Sequence, residues 1–162
     1  MAPTITLLAG SLIARLLGWL GVDYTDSWAR AVAVGLAAMF VVTGAAHFAP
    51  PLRHQLIAIV PPALPAPGLL VSVTGVLELL GAVGLLIPAT RVDAAVCLLL
   101  LMLAMFPANV YASRMPTPPK SMTTELSVRI AQEVVFLAAA LVVLVALPSI
   151  RKKREETFVE ED

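Results

Sequence analysis

Leu69–Pro88 reads LLVSVTGVLELLGAVGLLIP. A helix crosses a bilayer with about 20 predominantly apolar residues, and this stretch is long enough and apolar enough to do so. Its one charged residue, Glu78, falls near the middle. An ionisable side chain at membrane depth is costly, so it normally faces the bundle interior or a cavity and marks a functional position. The other polar residues of interest are placed relative to Glu78.

The whole chain fits this reading. Hydrophobic residues make up 59% of 162 residues and charged residues 14%, and mean hydropathy is +0.92. A soluble domain has about 45–50% apolar and about 25% charged residues. Here the apolar residues gather into long runs, the pattern of a small integral membrane protein in contact with the lipid bilayer. The formal net charge is zero, so no basic footprint for nucleic acid exists. The single cysteine, Cys97, cannot form an internal disulfide or a CxxC pair, and sits in an apolar run as a small hydrophobe. His47 and His54 do not form a metal-binding spacing. No metal site is expected, and no catalytic residue can be assigned.

Outward from the Glu78 stretch, three more spans are legible. Trp28–Phe48 is uncharged after Arg30 and rich in small residues, which let membrane helices approach closely. Asp26 or Ser27 is placed to cap it. Val92–Tyr111 follows the short ATRVD turn, making it an antiparallel neighbour of the Glu78 helix. The last span runs to Leu147 and stops before Pro148, with Thr124 or Ser127 as its cap. Between the first two spans, Ala49–Gly68 holds Pro50, Pro51, Pro61, Pro62, Pro65 and Pro67. These bracket LRHQLIAIV, in which Leu52, Leu56, Ile57 and Val60 predict a short helix on the membrane face. A polar loop with Pro116, Pro118, Pro119 and Lys120 precedes the last span.

The expected fold is all-α: a membrane four-helix bundle over residues 28–147. An additional N-terminal membrane-associated helix covers residues 1–22, and a charged soluble tail covers 148–162. Arg15 and Trp19 in the N-terminal segment suit a membrane interface. That segment reads as a fifth span, an interfacial helix or a signal peptide; the last lacks a preceding basic region. The tail composition offers no core and predicts a mobile segment. Its RKKR run, Arg151–Arg154, favours a cytoplasmic C-terminus.

Alternation of the spans brings the polar residues together. His47 and Asn109 lie near the ends of two spans; Arg129, Gln132 and Glu133 lie near the start of the last one. All fall in the half of the bundle from which Glu78 is reached. Periodicity gives each an inward face: Met39, Thr43 and His47; Val71, Gly75, Glu78 and Ala82; Arg129, Gln132, Glu133 and Phe136. His47, Glu78, Asn109, Arg129, Gln132 and Glu133 are therefore the candidate intramembrane pocket. Arg129 is a partner for Glu78 or Glu133, and His47 and Asn109 can donate to a carboxylate. The same residues can also serve only to set helix register.

GAAHF (44–48), IVPPALP (59–65), TGVLELLGAVGLLIPATR (74–91) and FPANVYAS (106–113) together resemble the DoxX-like family of small membrane proteins, over roughly residues 35–147. The resemblance implies a four-helix bundle in a bacterial-type plasma membrane, with Glu78 as a recurrent feature. Some members are quinone-linked subunits of thiosulfate oxidation, and others act in redox or thiol homeostasis. A quinone cofactor and redox-subunit partners are implied on that ground alone. Lacking a cysteine pair, this chain cannot itself run thiol–disulfide exchange. Three functions follow: a component of a redox or quinone-linked system, a non-enzymatic small-molecule binder, or a structural or assembly subunit of a membrane complex.

Overall fold

A computed structural model describes the backbone of residues 2–119 and 124–160, and the side chains of 2–119 and 124–146. The described residues contain helices and no strand. The helices are α1 (Ala2–Trp19), α2 (Trp28–Ala46), α3 (Pro50–Ala58), α4 (Pro67–Leu86), α5 (Arg91–Ser113) and α6 (Leu126–Glu160). One 3-10 turn, Asp23–Thr25, joins α1 to α2. Five helices are long and apolar enough to cross a membrane: α1, α2, α4, α5 and the Leu126–Ala146 part of α6. The protein is an integral membrane protein by this criterion, and its N-terminal helix has the length of a fifth span.

The packing order follows the alternation of directions. Helix α2 packs on α4, α4 on α5, α5 on α6, and α6 returns to α2, closing a ring; α1 lies against the outside of α2. The hub is therefore α2, not the Glu78 helix. Half of the α2 span is buried, against 28% for α4 and 17% for α1. Its sequence explains this, because Ala29, Ala31, Ala33, Gly35, Ala37 and Gly44 are all buried. Without bulky side chains, three neighbours can reach its backbone, where dispersion holds helices in lipid. At Gly35 a Cβ would stand 2.1 Å from Ser11 Oγ and 2.5 Å from the Leu7 carbonyl oxygen, so α1 seats directly on it. The large side chains face outward instead: Leu80, Val83, Leu100, Val134 and Val145 are exposed where lipid surrounds the bundle. Inside, Leu36, Met39, Phe40, Leu85, Leu98, Met102 and Val143 form the core.

One end of the bundle is an interfacial belt. Arg15 lies 5.0 Å from the Trp19 ring and 5.7 Å from that of Trp28, and the two indoles meet edge to face at 6.3 Å. Arg30 binds Asp26 at 2.6 Å. Ser27, the N-cap of α2, accepts from Arg30 N. Arg91 Nε donates to the Leu85 carbonyl at 2.8 Å, and the Tyr24 hydroxyl donates to that of Leu86. These donors satisfy carbonyls that the end of α4 leaves open. Amphipathic rings and snorkelling arginines are the groups that anchor a bundle at headgroup level.

The last helix differs from expectation. It does not stop before Pro148 but runs to Glu160. Proline removes one helical hydrogen bond and clashes with the preceding turn, but the RKKREE segment that follows consists of good helix formers. Neither expected cap begins α6. Ser127 lies inside the helix, and the first turn is closed by Arg129 N donating to the Glu125 carbonyl. Lys120, in the loop before α6, lies outside the described residues.

Candidate functional site

The ring of α2, α4, α5 and α6 surrounds a cavity of roughly 460 Å³. Its walls include His47, Glu78, Asn109, Arg129, Gln132 and Glu133, so the structure brings all six pocket candidates to one space. Met39, Phe40, Met102 and Phe136 line it as well. Ala2 and Pro3 of α1 and Leu52 and Leu56 of α3 complete it.

Glu78 lies roughly 17 Å along α4 from Pro67, at about 1.5 Å per residue. That is near the middle of a hydrocarbon core about 30 Å thick. The buried face of α4 is Val71, Gly75, Glu78, Ala82 and Leu85, and Glu78 is only 4% exposed. Gly75, one turn before it, is what lets α2 come close. A Cβ there would stand 2.5 Å from His47 Cβ, so only glycine leaves room for the imidazole beside the carboxylate.

The hydrogen bonds differ from those the sequence suggested. His47 does not donate to Glu78: its Nδ1 lies 2.9 Å from the Thr43 carbonyl and 3.9 Å from Glu78 Oε2. A helix-end histidine finds the carbonyl four residues back before it can reach a neighbouring helix. His47 follows the last residue of the α2 span. Burial pushes its imidazole below the usual histidine range; the bond to Thr43 opposes that shift and the charge of Arg53 adds to it. At neutral pH it is an uncharged neighbour of Glu78. Asn109 does not donate to a carboxylate either. Its Oδ1 accepts from Arg129 Nη1 at 3.4 Å, while Arg129 Nε donates to the Thr124 carbonyl at 2.9 Å. Gln132 Nε2 donates to Thr4 Oγ1 at 2.8 Å, tying α6 to the start of α1.

Two carboxylate oxygens are left over. Among the described residues, Glu78 Oε2 and Glu133 Oε1 are buried and have no hydrogen-bond partner. An unsatisfied buried acceptor costs about 1–3 kcal/mol, and more if charged. A fold bears such a cost where a site needs it. The described residues hold no cluster of three or more histidine, cysteine or acidic side chains placed to bind a metal.

Sequence reasoning missed the contribution of α1, which reaches the cavity only because it packs antiparallel to α2. It also missed Arg53. From α3, Arg53 donates to the His47 carbonyl, the Gly68 carbonyl and Ser72 Oγ at 3.0, 3.1 and 2.9 Å. The stripe Met39, Thr43, His47 was the available signal for Thr43, which lines the cavity between the other two.

Residues 36–144 match the family model described as "Domain of unknown function (DUF8561)". The chain belongs to this family. The DUF8561 region contains all six polar pocket candidates and leaves out α1 and the end of α6. No curated protein and no solved structure matches the chain. In the DUF8561 region every element of the ring contributes to the cavity wall, so the matched unit and the pocket coincide, apart from the α1 residues at its edge.

Proposed function

We propose that the cavity binds a small amphipathic molecule drawn from the membrane, and that the protein serves a redox or quinone-linked membrane system. The carrying observation is Glu78: a buried carboxylate at mid-membrane, lining a cavity, with one oxygen unpartnered among the described residues. The cavity also has the two chemistries such a ligand needs. Glu78, Glu133, Arg129 and Gln132 supply a polar wall, and Met39, Phe40, Met102 and Phe136 an apolar one. This is the make-up of ligand pockets in general, apolar walls with a few convergent polar groups. The redox setting rests on the resemblance to DoxX-like membrane proteins. A quinone in its reduced, hydroxyl-bearing form fits the wall chemistry, and when bound it would supply two-electron redox chemistry. The chain's own residues hold and orient its polar end.

The charge distribution supports an orientation in a bacterial-type plasma membrane. Seven of the eleven Lys and Arg residues lie on the side of the α6 C-terminus: Arg15, Arg30, Arg91, Arg151, Lys152, Lys153 and Arg154. The excess of positive charge marks the cytoplasmic side. The cavity then opens toward the opposite side, under α3. With five spans, reporters fused to the two termini are expected to report opposite sides of the membrane, with the C-terminus inside. Termini on one side would eliminate the five-span arrangement.

Purification in mild detergent, solvent extraction and mass spectrometry test the binding role. The wild-type protein is expected to release a lipophile. Glu78→Gln replaces a carboxyl group by an amide at the polar wall, a loss of about 1–3 kcal/mol, so its retention should fall by about fivefold or more. Stable protein that carries no lipophile, and co-purifies with other membrane subunits, would favour the assembly role. The observation on that side is that the Arg129–Asn109 and Gln132–Thr4 bonds join separate helices.

A further inference from the structure

The hydrogen-bond balance of the cavity defines the chemistry of the ligand's polar end. Resting on the binding role proposed above, we infer that the cavity takes a lipophile whose head presents O–H or N–H donors, in preference to one that presents acceptors alone.

Three of the residues that carry donors around the cavity already have acceptors. Arg129 donates to the Thr124 carbonyl and to Asn109 Oδ1. Gln132 Nε2 donates to Thr4 Oγ1. His47 Nδ1 is at the Thr43 carbonyl. The acceptors are not matched. Glu78 Oε2 and Glu133 Oε1 are buried without a partner among the described residues, and both residues line the cavity. Glu78 is the more deeply buried of the two, with its side chain only 6% exposed. A carboxylate oxygen accepts and, when ionised, cannot donate. A head group bearing a hydroxyl or an amine pairs with these oxygens. An ether or carbonyl head sets lone pair against lone pair and leaves the oxygens unsatisfied. A site whose buried polar groups await a partner rejects the analogue that lacks it. Two sources share this chemistry, hydroxyl-headed and amine-headed lipophiles.

Matched probes separate them. The full chain in detergent micelles, stripped of co-purified lipophile, is titrated with four compounds: 4-octylphenol, its methyl ether 4-octylanisole, octylamine and octyltrimethylammonium. Binding is read as a ligand-dependent rise in thermal midpoint and by equilibrium dialysis. The donor-bearing member of at least one pair is expected to bind about tenfold tighter than its partner. Preference for the phenol assigns a hydroxyl head, and preference for octylamine over octyltrimethylammonium assigns an amine. Equal binding of octylamine and octyltrimethylammonium, with equal binding of phenol and ether, means that charge or apolar contact selects the ligand; this overturns the inference and leaves the binding role standing. If none of the four binds, both readings fall. In Glu78→Gln the side chain offers a donor as well as an acceptor, so the preference is expected to shrink. A preference unchanged in a folded Glu78→Gln variant would remove Glu78 from the explanation, and the inference with it.

Discussion

Gly75→Ala is expected to destabilise the protein and to impair the cavity together. A Cβ at position 75 would stand 2.5 Å from His47 Cβ, 2.9 Å from His47 Cγ and 3.0 Å from Phe48 Cε2. The nearest of these atoms is fixed to the backbone of α2, so no rotamer change relieves the contact. Helices α2 and α4 must move apart. A second close approach resists this: at Gly44 a Cβ would meet the Leu79 side chain at 2.9 Å and the Gly75 carbonyl at 3.2 Å. Overpacking of this kind costs about 1–3 kcal/mol. Alanine in a helix recovers about 0.5–1 kcal/mol relative to glycine, so the clash wins. The thermal midpoint in detergent should fall by several degrees, roughly 2–4 °C for each kcal/mol in a chain of this size. Bound lipophile should fall too, because His47 is displaced from its place beside Glu78. Gly68→Ala is the control on the same helix. Its Cβ would find only Ile57 Cδ1, at an ordinary 3.9 Å. A midpoint equal to wild type in Gly75→Ala would mean that the two helices are not held as close as described.

The same glycines mark what the sequence could and could not say. The spans were legible because hydropathy and length depend only on composition in a window, and lipid imposes both. The meeting of His47, Glu78, Asn109, Arg129, Gln132 and Glu133 was legible because alternating spans must bring those ends together. Which helix is the hub was not legible from the charge on α4. It was written instead in the small residues of α2, whose meaning depends on which neighbours they admit. Hydrogen-bond partners were the least legible. His47 has a donor for a carboxylate but meets the Thr43 carbonyl first, and Asn109 instead uses its Oδ1 to accept from the Arg129 guanidinium. The end of α6 shows a local rule overridden, since one proline is outweighed by the helix formers beyond it.

Arg53→Ala is expected to free α3 from the bundle while leaving the spans in place. Helix α3 has no buried residue and packs mainly on α4, so little apolar burial holds it. Proline at its start fixes the entry of the chain, but that does not dock the helix. The Arg53 fork docks it. Nη1 donates to the His47 carbonyl, and Nη2 to the Gly68 carbonyl and Ser72 Oγ. One side chain thereby ties α3 to the end of α2 and the start of α4. A hydrogen bond from a charged donor contributes about 1.5–3 kcal/mol. Because Arg53 is half-buried, water replaces part of that, and a net loss of about 1–2 kcal/mol is the expected scale. Lysine cannot span the three acceptors with a planar fork, so Arg53→Lys should recover little. Hydrogen exchange reads the effect directly. Amides of residues 52–58 should lose protection in Arg53→Ala, while those within α2 and α4 keep theirs. Leu52 and Leu56 line the cavity from α3, so a bound lipophile should also leave faster. Unchanged protection over 52–58 would show that α3 is held by something other than this arginine, and would remove Arg53 as the tie that keeps Leu52 and Leu56 over the pocket.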